Sequence, residues 1–332
     1  MKEIKLEIYA DEIICPLDYN KHTKNIIGFC CLFLPSNQKQ EVVTTLLNYR
    51  CLNKKKLSWS LNYNDCKNKE NCKEEWHKTN DCEIHTEEFR TARASKSNKI
   101  IIKSWLQYLI NKNNSDTPIF FNILFLELNK MDISYFGNEK THENIYNKFF
   151  RTTIEYGLKR FFGNNKIIIE KVYHDKASME HHEYFPNLNL KKLDDYTSEN
   201  ILFEDTSVHF INSDHKLYLN ENKELYNESN LIQFVDLFLG MTSQNIYYLS
   251  DDELKKEYAM ILRPLIKKIL NDPYTSNQHI SFYPKEKAKN VKAFYKNLDG
   301  KNISLPIKSG FYYKKDLELP DIEHNQSRLD IF

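Results

Sequence analysis

In the segment Glu228-Ser-Asn-Leu-Ile-Gln-Phe-Val-Asp-Leu-Phe-Leu-Gly240, spacings of four, three and four place Ser229, Gln233, Asp236 and Gly240 on one stripe of a helix. The remaining positions are nearly all apolar, so this helix is expected to be buried. A carboxylate taken out of water needs a cation, a donor network or a metal, and Asp236 must therefore have one of the three. A Lys or Arg arriving from elsewhere would make it purely structural. Two further acids stand at the ends of apolar strands: Asp11 closes Ile4-Lys-Leu-Glu-Ile-Tyr-Ala, and Asp175 closes the strand containing Ile167, Ile168 and Ile169. Strand ends of an open sheet are where such folds bind ligands. Three carboxylates, two at strand ends and one on a helix packed against them, have the hard oxygen chemistry that holds Mg²⁺ or Mn²⁺. Two such ions about 4 Å apart clamp the attacking and leaving oxygens of a phosphodiester during hydrolysis.

The elements that must position these acids can be read from period. Ile4, Leu6 and Ile8 alternate with Lys5, Glu7 and Tyr9, a half-buried strand that puts Asp11 on the face of Tyr9 and Glu12 on the other. A second strand over 25–34 runs into a helix to about Arg50, residues 52–81 read as a polar insertion, and a helix is expected over 97–111. An apolar strand over 118–128, a helix over 141–162 and a strand over 166–174 follow. Residues 180–205 read as a second polar excursion, and a short strand over 208–212 precedes the buried helix. Another helix spans about 252–270, bent at Pro264. Strand, helix, strand, helix, strand is the pattern of an α/β sheet with covering helices.

Composition narrows the possibilities further. The 332 residues are 41% hydrophobic and 28% charged, with only seven Gly and nine Pro, which is a folding composition rather than a disordered or fibrous one. Lys and Arg number 47 against 46 Asp and Glu, so no global charge draws a polyanion and any nucleic-acid contact has to be local. Neither a signal peptide nor a long apolar run is visible, so no membrane association is expected and the protein is read as cytoplasmic. Seven cysteines, an odd number, are read as free thiols in a reducing compartment.

With these motifs in order, the chain resembles the RNase H-like bacterial proteins grouped as domain of unknown function 3800. The resemblance is carried by Tyr9-Ala-Asp-Glu12, Glu83-Ile-His85, Asp175, Val208-His-Phe-Ile-Asn-Ser-Asp214 and Gln233-Phe-Val-Asp236-Leu-Phe-Leu-Gly240. It covers residues 1 to about 245, with Ile280-Ser-Phe-Tyr-Pro-Lys285 as a possible extension. The departure is at the first motif, which in the family usually continues Asp-Glu-Ser-Gly and here reads Asp11-Glu-Ile-Ile. The resemblance implies an RNase H-like mixed sheet flanked by helices, forming one domain over 1–245 with the two insertions. Residues 246–332 would form a helical, then basic and aromatic extension. It also implies a divalent-metal acidic site in which Asp11, Glu83, Asp175 and Asp236 are the matching carboxylates, with Glu12 beside Asp11 as a further ligand. Glu83 and His85, two apart, share a face of a strand, so His85 is placed to handle a proton beside Glu83. Gln233 is expected to orient Asp236 or the substrate. Glu127, at the end of Phe125-Leu-Glu, is the rival to Glu83.

The expected activity is nuclease hydrolysis of DNA or RNA by water, with Mg²⁺ or Mn²⁺. The family resemblance adds a place in mobile elements or antiviral defence, with a possible protein partner. The alternative is a catalytically silent nucleic-acid-binding or scaffold subunit, and a phosphatase acting on a small substrate is a third reading. Cys66, Cys72, His77 and Cys82 are potential zinc ligands, but their spacing matches no common finger and zinc is not expected there. Lys54-Lys-Lys56 near Trp59 and Tyr63, and the stretch from Tyr283 to Tyr295, combine cations with aromatic faces suited to a nucleic-acid strand.

Overall fold

The computed structural model describes residues 2–15, 26–50, 82–86, 95–113, 115–128, 131, 133–137, 139–176, 178–197, 199–218, 222–271 and 276–283, and the backbone of 292–296 and 302–306. The chain begins with β1 (Glu3–Cys15) and β2 (Ile26–Pro35), followed by α1 (Ser36–Arg50), α2 (Lys96–Lys112) and β3 (Phe120–Glu127). Next come α3 (Thr141–Phe162), β4 (Lys166–Asp175), α4 (Phe185–Tyr196), β5 (Ile201–Phe203) and β6 (Val208–Ile211). The long α5 (Lys223–Tyr247), α6 (Glu253–Asn271) and β7 (Gln278–Tyr283) complete the main body, and β8 (Lys292–Lys296) pairs with β9 (Asn302–Pro306) as a separate hairpin.

Seven strands form one mixed sheet in the order β5-β4-β1-β2-β3-β7, with β6 pairing β4 beyond β5. β1, β2 and β3 are successively antiparallel, whereas β4 lies parallel to β1, β5 and β6 parallel to β4, and β7 parallel to β3. β2, in the middle, is buried at every position, as its unbroken apolar run requires when both faces are covered. One face, carrying Tyr9, Cys30, Phe121, Phe125 and Tyr173, packs under α1, α2, α5 and α6 around Trp105 and Phe234. The other, carrying Leu6, Ile8, Phe29 and Phe33, packs under α3 and α4 around Phe150 and Phe185. The architecture is therefore three-layered α/β/α.

Two expected boundaries are corrected. Residues 180–205 are not an irregular excursion: α4 buries Phe185, Leu190 and Leu193, and β5 extends the sheet. Nor does the fold end near residue 245, because α6 buries Leu254, Tyr258, Leu262, Leu265 and Ile269, and β7 pairs with β3. In the first case the apolar spacing is diluted by charged residues on the solvent side; in the second the helix is expected, but it is the pairing of β7 with β3 that brings it into the main body. The 52–81 insertion, the Lys54–Tyr63 cluster, Cys66, Cys72, His77 and most of the Tyr283–Tyr295 stretch lie outside the described residues. Among the described residues no helix is long and apolar enough to cross a membrane.

Candidate acidic site

The parallel register of β1 and β4 runs to Ala10 opposite His174. Asp11 and Asp175 follow one residue later, side by side; Asp175 ends β4, but Asp11 does not end β1 as expected, because the strand continues along β2 to Cys15 after its pairing with β4 stops. Alternation puts both on the face of Tyr9 and Tyr173, under α5. That helix is set by an Asn222 cap, whose side chain accepts from Leu225 N, and by Tyr248 in the left-handed region at its end (φ 51°). α5 lies over β1: Glu228 meets the Tyr9 hydroxyl near the helix start, and Asp236 acts on Asp11 about two turns later.

Asp11 and Asp236 are 8% and 9% exposed. Burial pushes the Asp11 carboxyl well above the usual carboxylate range, and the nearby charges of Asp236, Glu12 and Asp175 push it further. Asp175 is raised to about 6, first by burial and also by Asp236, although the N–H groups of Lys176 (2.8 Å) and Ser213 (3.2 Å) donate to its Oδ1 and work the other way. The Cys30 thiol, opposite Asp11 on β2, is held protonated by burial, with Asp11 and Asp236 adding to the shift. Asp236 and Asp175 thus disfavour the charge on Asp11, and Asp236 that on Asp175, a repulsion that a divalent cation would relieve. Among the described residues, no group of three or more His, Cys, Asp or Glu side chains could hold a metal ion.

Asp236 obtains its donors from a short extended strap, residues 82–86. Thr86 N donates to Asp236 Oδ2 (2.7 Å) and Thr86 Oγ1 to Oδ1 (2.6 Å). Of the three solutions open to a buried carboxylate, the chain uses a donor network. One turn earlier, Gln233 Oε1 accepts from Ile84 N (2.8 Å) and from Arg50 Nη2, while its Nε2 donates to Ser213 O (2.5 Å). Gln233 is therefore a positioning residue, tying the strap to the loop that also reaches Asp175. Ile84 and Thr86 are buried against α5, so Glu83 and His85 lie on the strap's more exposed side. Neither makes a hydrogen bond or ion pair among the described residues.

The other candidates fall elsewhere. Glu12 is on the opposite face of β1, where its Oε2 lies 3.1 Å from His174 Nε2; His174 Nδ1 is 2.8 Å from the Asp175 carbonyl oxygen. This pair ties β1 to the end of β4 on the face opposite the aspartates. Burial works against the His174 imidazolium, but Glu12 outweighs it and the His174 pKa is raised. Glu127 is level with Ile26, four residues from the Asp11–Cys30 row, so it stands about 13 Å along the sheet from the three aspartates. Cys82 is a free thiol.

Thr86, Arg50 and Ser213 were not legible as site residues. The only signal was Gly240, one turn beyond Asp236 on the same stripe. A Cβ there would meet Thr86 at 2.5–2.7 Å, so glycine is what lets the strap approach. Gly240→Ala should therefore push Thr86 off Asp236. Alanine alone would favour the helix by about 1 kcal/mol, so a net loss in urea-unfolding free energy, with steric cost of about 1–3 kcal/mol, would measure this contact. An unchanged or increased stability would show that the strap yields freely. No protein-family model and no curated protein matches this chain.

Proposed function

We propose that the chain is an RNase H-like enzyme of the family its motifs resemble, hydrolysing DNA or RNA phosphodiester bonds with Mg²⁺ or Mn²⁺. The observation that carries the reading is the approach of Asp11, Asp175 and Asp236 under α5, where Asp236 and Asp175 raise the Asp11 carboxyl and Asp236 raises that of Asp175. The sheet order, with an antiparallel β1-β2-β3 meander and β4 parallel to β1, is compatible with that fold. Hard oxygen donors have the chemistry such ions take, and the proposal requires Asp11, Asp175 and Asp236, with Glu83 from the strap, to draw together around them, because as they stand no three such side chains among the described residues are grouped to hold a metal ion. Bound there, the cations would activate water and stabilise charge on the phosphate oxygens. Thr86 fixes the Asp236 carboxylate, the Ser213 and Lys176 N–H groups fix that of Asp175, and His85 is the strap's group for a proton.

Labelled single- and double-stranded DNA, RNA and hybrid oligonucleotides, incubated with Mg²⁺ or Mn²⁺, test this. At least one should be cut by the wild type and not by Asp11→Ala. A second reading, a silent binding or scaffold subunit, is favoured by the two hydrogen bonds that already satisfy Asp236 from within the chain. It requires oligonucleotide binding unchanged by a chelator and no cleavage with either metal; that pair of results would remove the enzymatic reading.

A further inference from the structure

On the opposite helical layer from the aspartates, a pocket of about 510 Å³ opens between the first half of α3 and the start of α4. This volume is in the range that takes a small ligand. Its wall includes Arg151, which is 9% exposed. The guanidinium donates to Asn189 Oδ1 and Tyr184 Oη (3.3 Å), and Tyr196 lies beside it. All three neighbours are neutral. The carboxylates that might answer its charge are engaged elsewhere: Glu143 is 2.8 Å from His182, and Glu155 is 2.5 Å from Lys159. A charge this deeply buried is expensive without a counter-charge.

Two further observations point into the same pocket. Asn147, one turn before Arg151, is 6% exposed and lines the wall, and its buried Oδ1 has no hydrogen-bond partner. At the rim, Lys140, Lys148 and Lys192 add three cations against Glu143 and the exposed Glu183. A guanidinium offers a planar set of donors that matches a phosphate, ammonium groups add point charge, and the Asn147 amide oxygen can accept from a hydroxyl of the molecule that carries the phosphate.

We propose that this pocket binds the phosphate group of a small phosphorylated molecule, with Arg151 as its anchor and Lys148 and Lys192 closing over the anion. The site is separate from the acidic recess and does not depend on the nuclease reading. Thermal unfolding of the full chain in a chelator, which removes divalent ions from the aspartates, tests it with inorganic phosphate and 5′-AMP as probes. Sodium chloride at equal ionic strength is the control. At a ligand concentration ten times the Kd the midpoint should rise by about 2 °C, and Lys148→Ala combined with Lys192→Ala, both exposed positions, should demand about tenfold more ligand. Arg151→Gln should abolish the protection. Stronger protection by 5′-AMP would assign a phosphate ester, and equal protection the bare anion. A rise no larger than that given by chloride, or one undiminished in the folded double-lysine variant, would overturn the proposal.

Discussion

Asp236→Asn should lower metal-dependent cleavage by about 10³-fold while leaving the fold in place, and Asp175→Asn should do the same while making the metal-free protein more stable. The first expectation follows because an amide keeps both contacts to Thr86, its oxygen accepting from the N–H and its nitrogen donating to Oγ1, while the negative charge is lost. Metal-assisted charge stabilisation is worth several kcal/mol, and about 1.4 kcal/mol is a decade in rate.

The second expectation follows from linkage. The Asp175 carboxyl titrates near 6 in the folded chain against an ordinary 3.8. Below about pH 4 both states carry the proton and the residue is neutral for stability. Between those values the unfolded state gives up its proton first, so stability falls as pH rises. Above about 6 the full penalty of roughly 3 kcal/mol is present. Asn removes it. Urea unfolding in a chelator should therefore show Asp175→Asn more stable than wild type at pH 7.5 and indistinguishable from it at pH 4. Equal stability at both pH values would mean that the carboxylate is not penalised, and the electrostatic argument for a cation site would fail. Because Asp175 must be ionised to hold a cation, wild-type cleavage should also rise with pH through about 6.

The carboxylates of this recess were legible because strands announce their faces. With a period of two, Asp11 had to share the side of Tyr9, and Glu12 the side of Ile8, so the expectation of Glu12 as a further ligand beside Asp11 is corrected by the alternation of β1 itself, which turns Glu12 to His174. Asp236 was legible as an anomaly, a charge in an apolar helix. What answered that charge was not, because Thr86 lies 150 residues away and is polar in an ordinary way; only the folded contact gives it a role. The α4 and β5 segment is hard to read in sequence because three buried apolar residues among Asn, Lys and Asp, followed by a strand of three residues, give little periodicity. Such elements are specified by the surface waiting for them, here the exposed edge of β4 and the α3 face.

Arg50→Met should be the most damaging single change to the folded chain outside the hydrophobic cores, destabilising it by about 3 kcal/mol or more. The guanidinium is fully buried. It donates from Nε to Asn230 Oδ1 (2.6 Å), from Nη1 to Cys82 O (3.1 Å) and from Nη2 to Gln233 Oε1, and lies 4.8 Å over the Trp105 ring. One side chain thus joins α1, α2, α5 and the strap. Methionine keeps much of the apolar stem and leaves these acceptors without those donors, each a desolvated group that costs about 1–3 kcal/mol. Lysine keeps the charge but not the planar fork, so Arg50→Lys should recover only part of the loss. Since Cys82 begins the strap that ends in Thr86, the same variant should also lose cleavage in excess of its loss of folded protein, assayed at a temperature where it remains folded. A Met variant within 1 kcal/mol of wild type in urea would show that the strap is held by its buried Ile84 rather than by this hub.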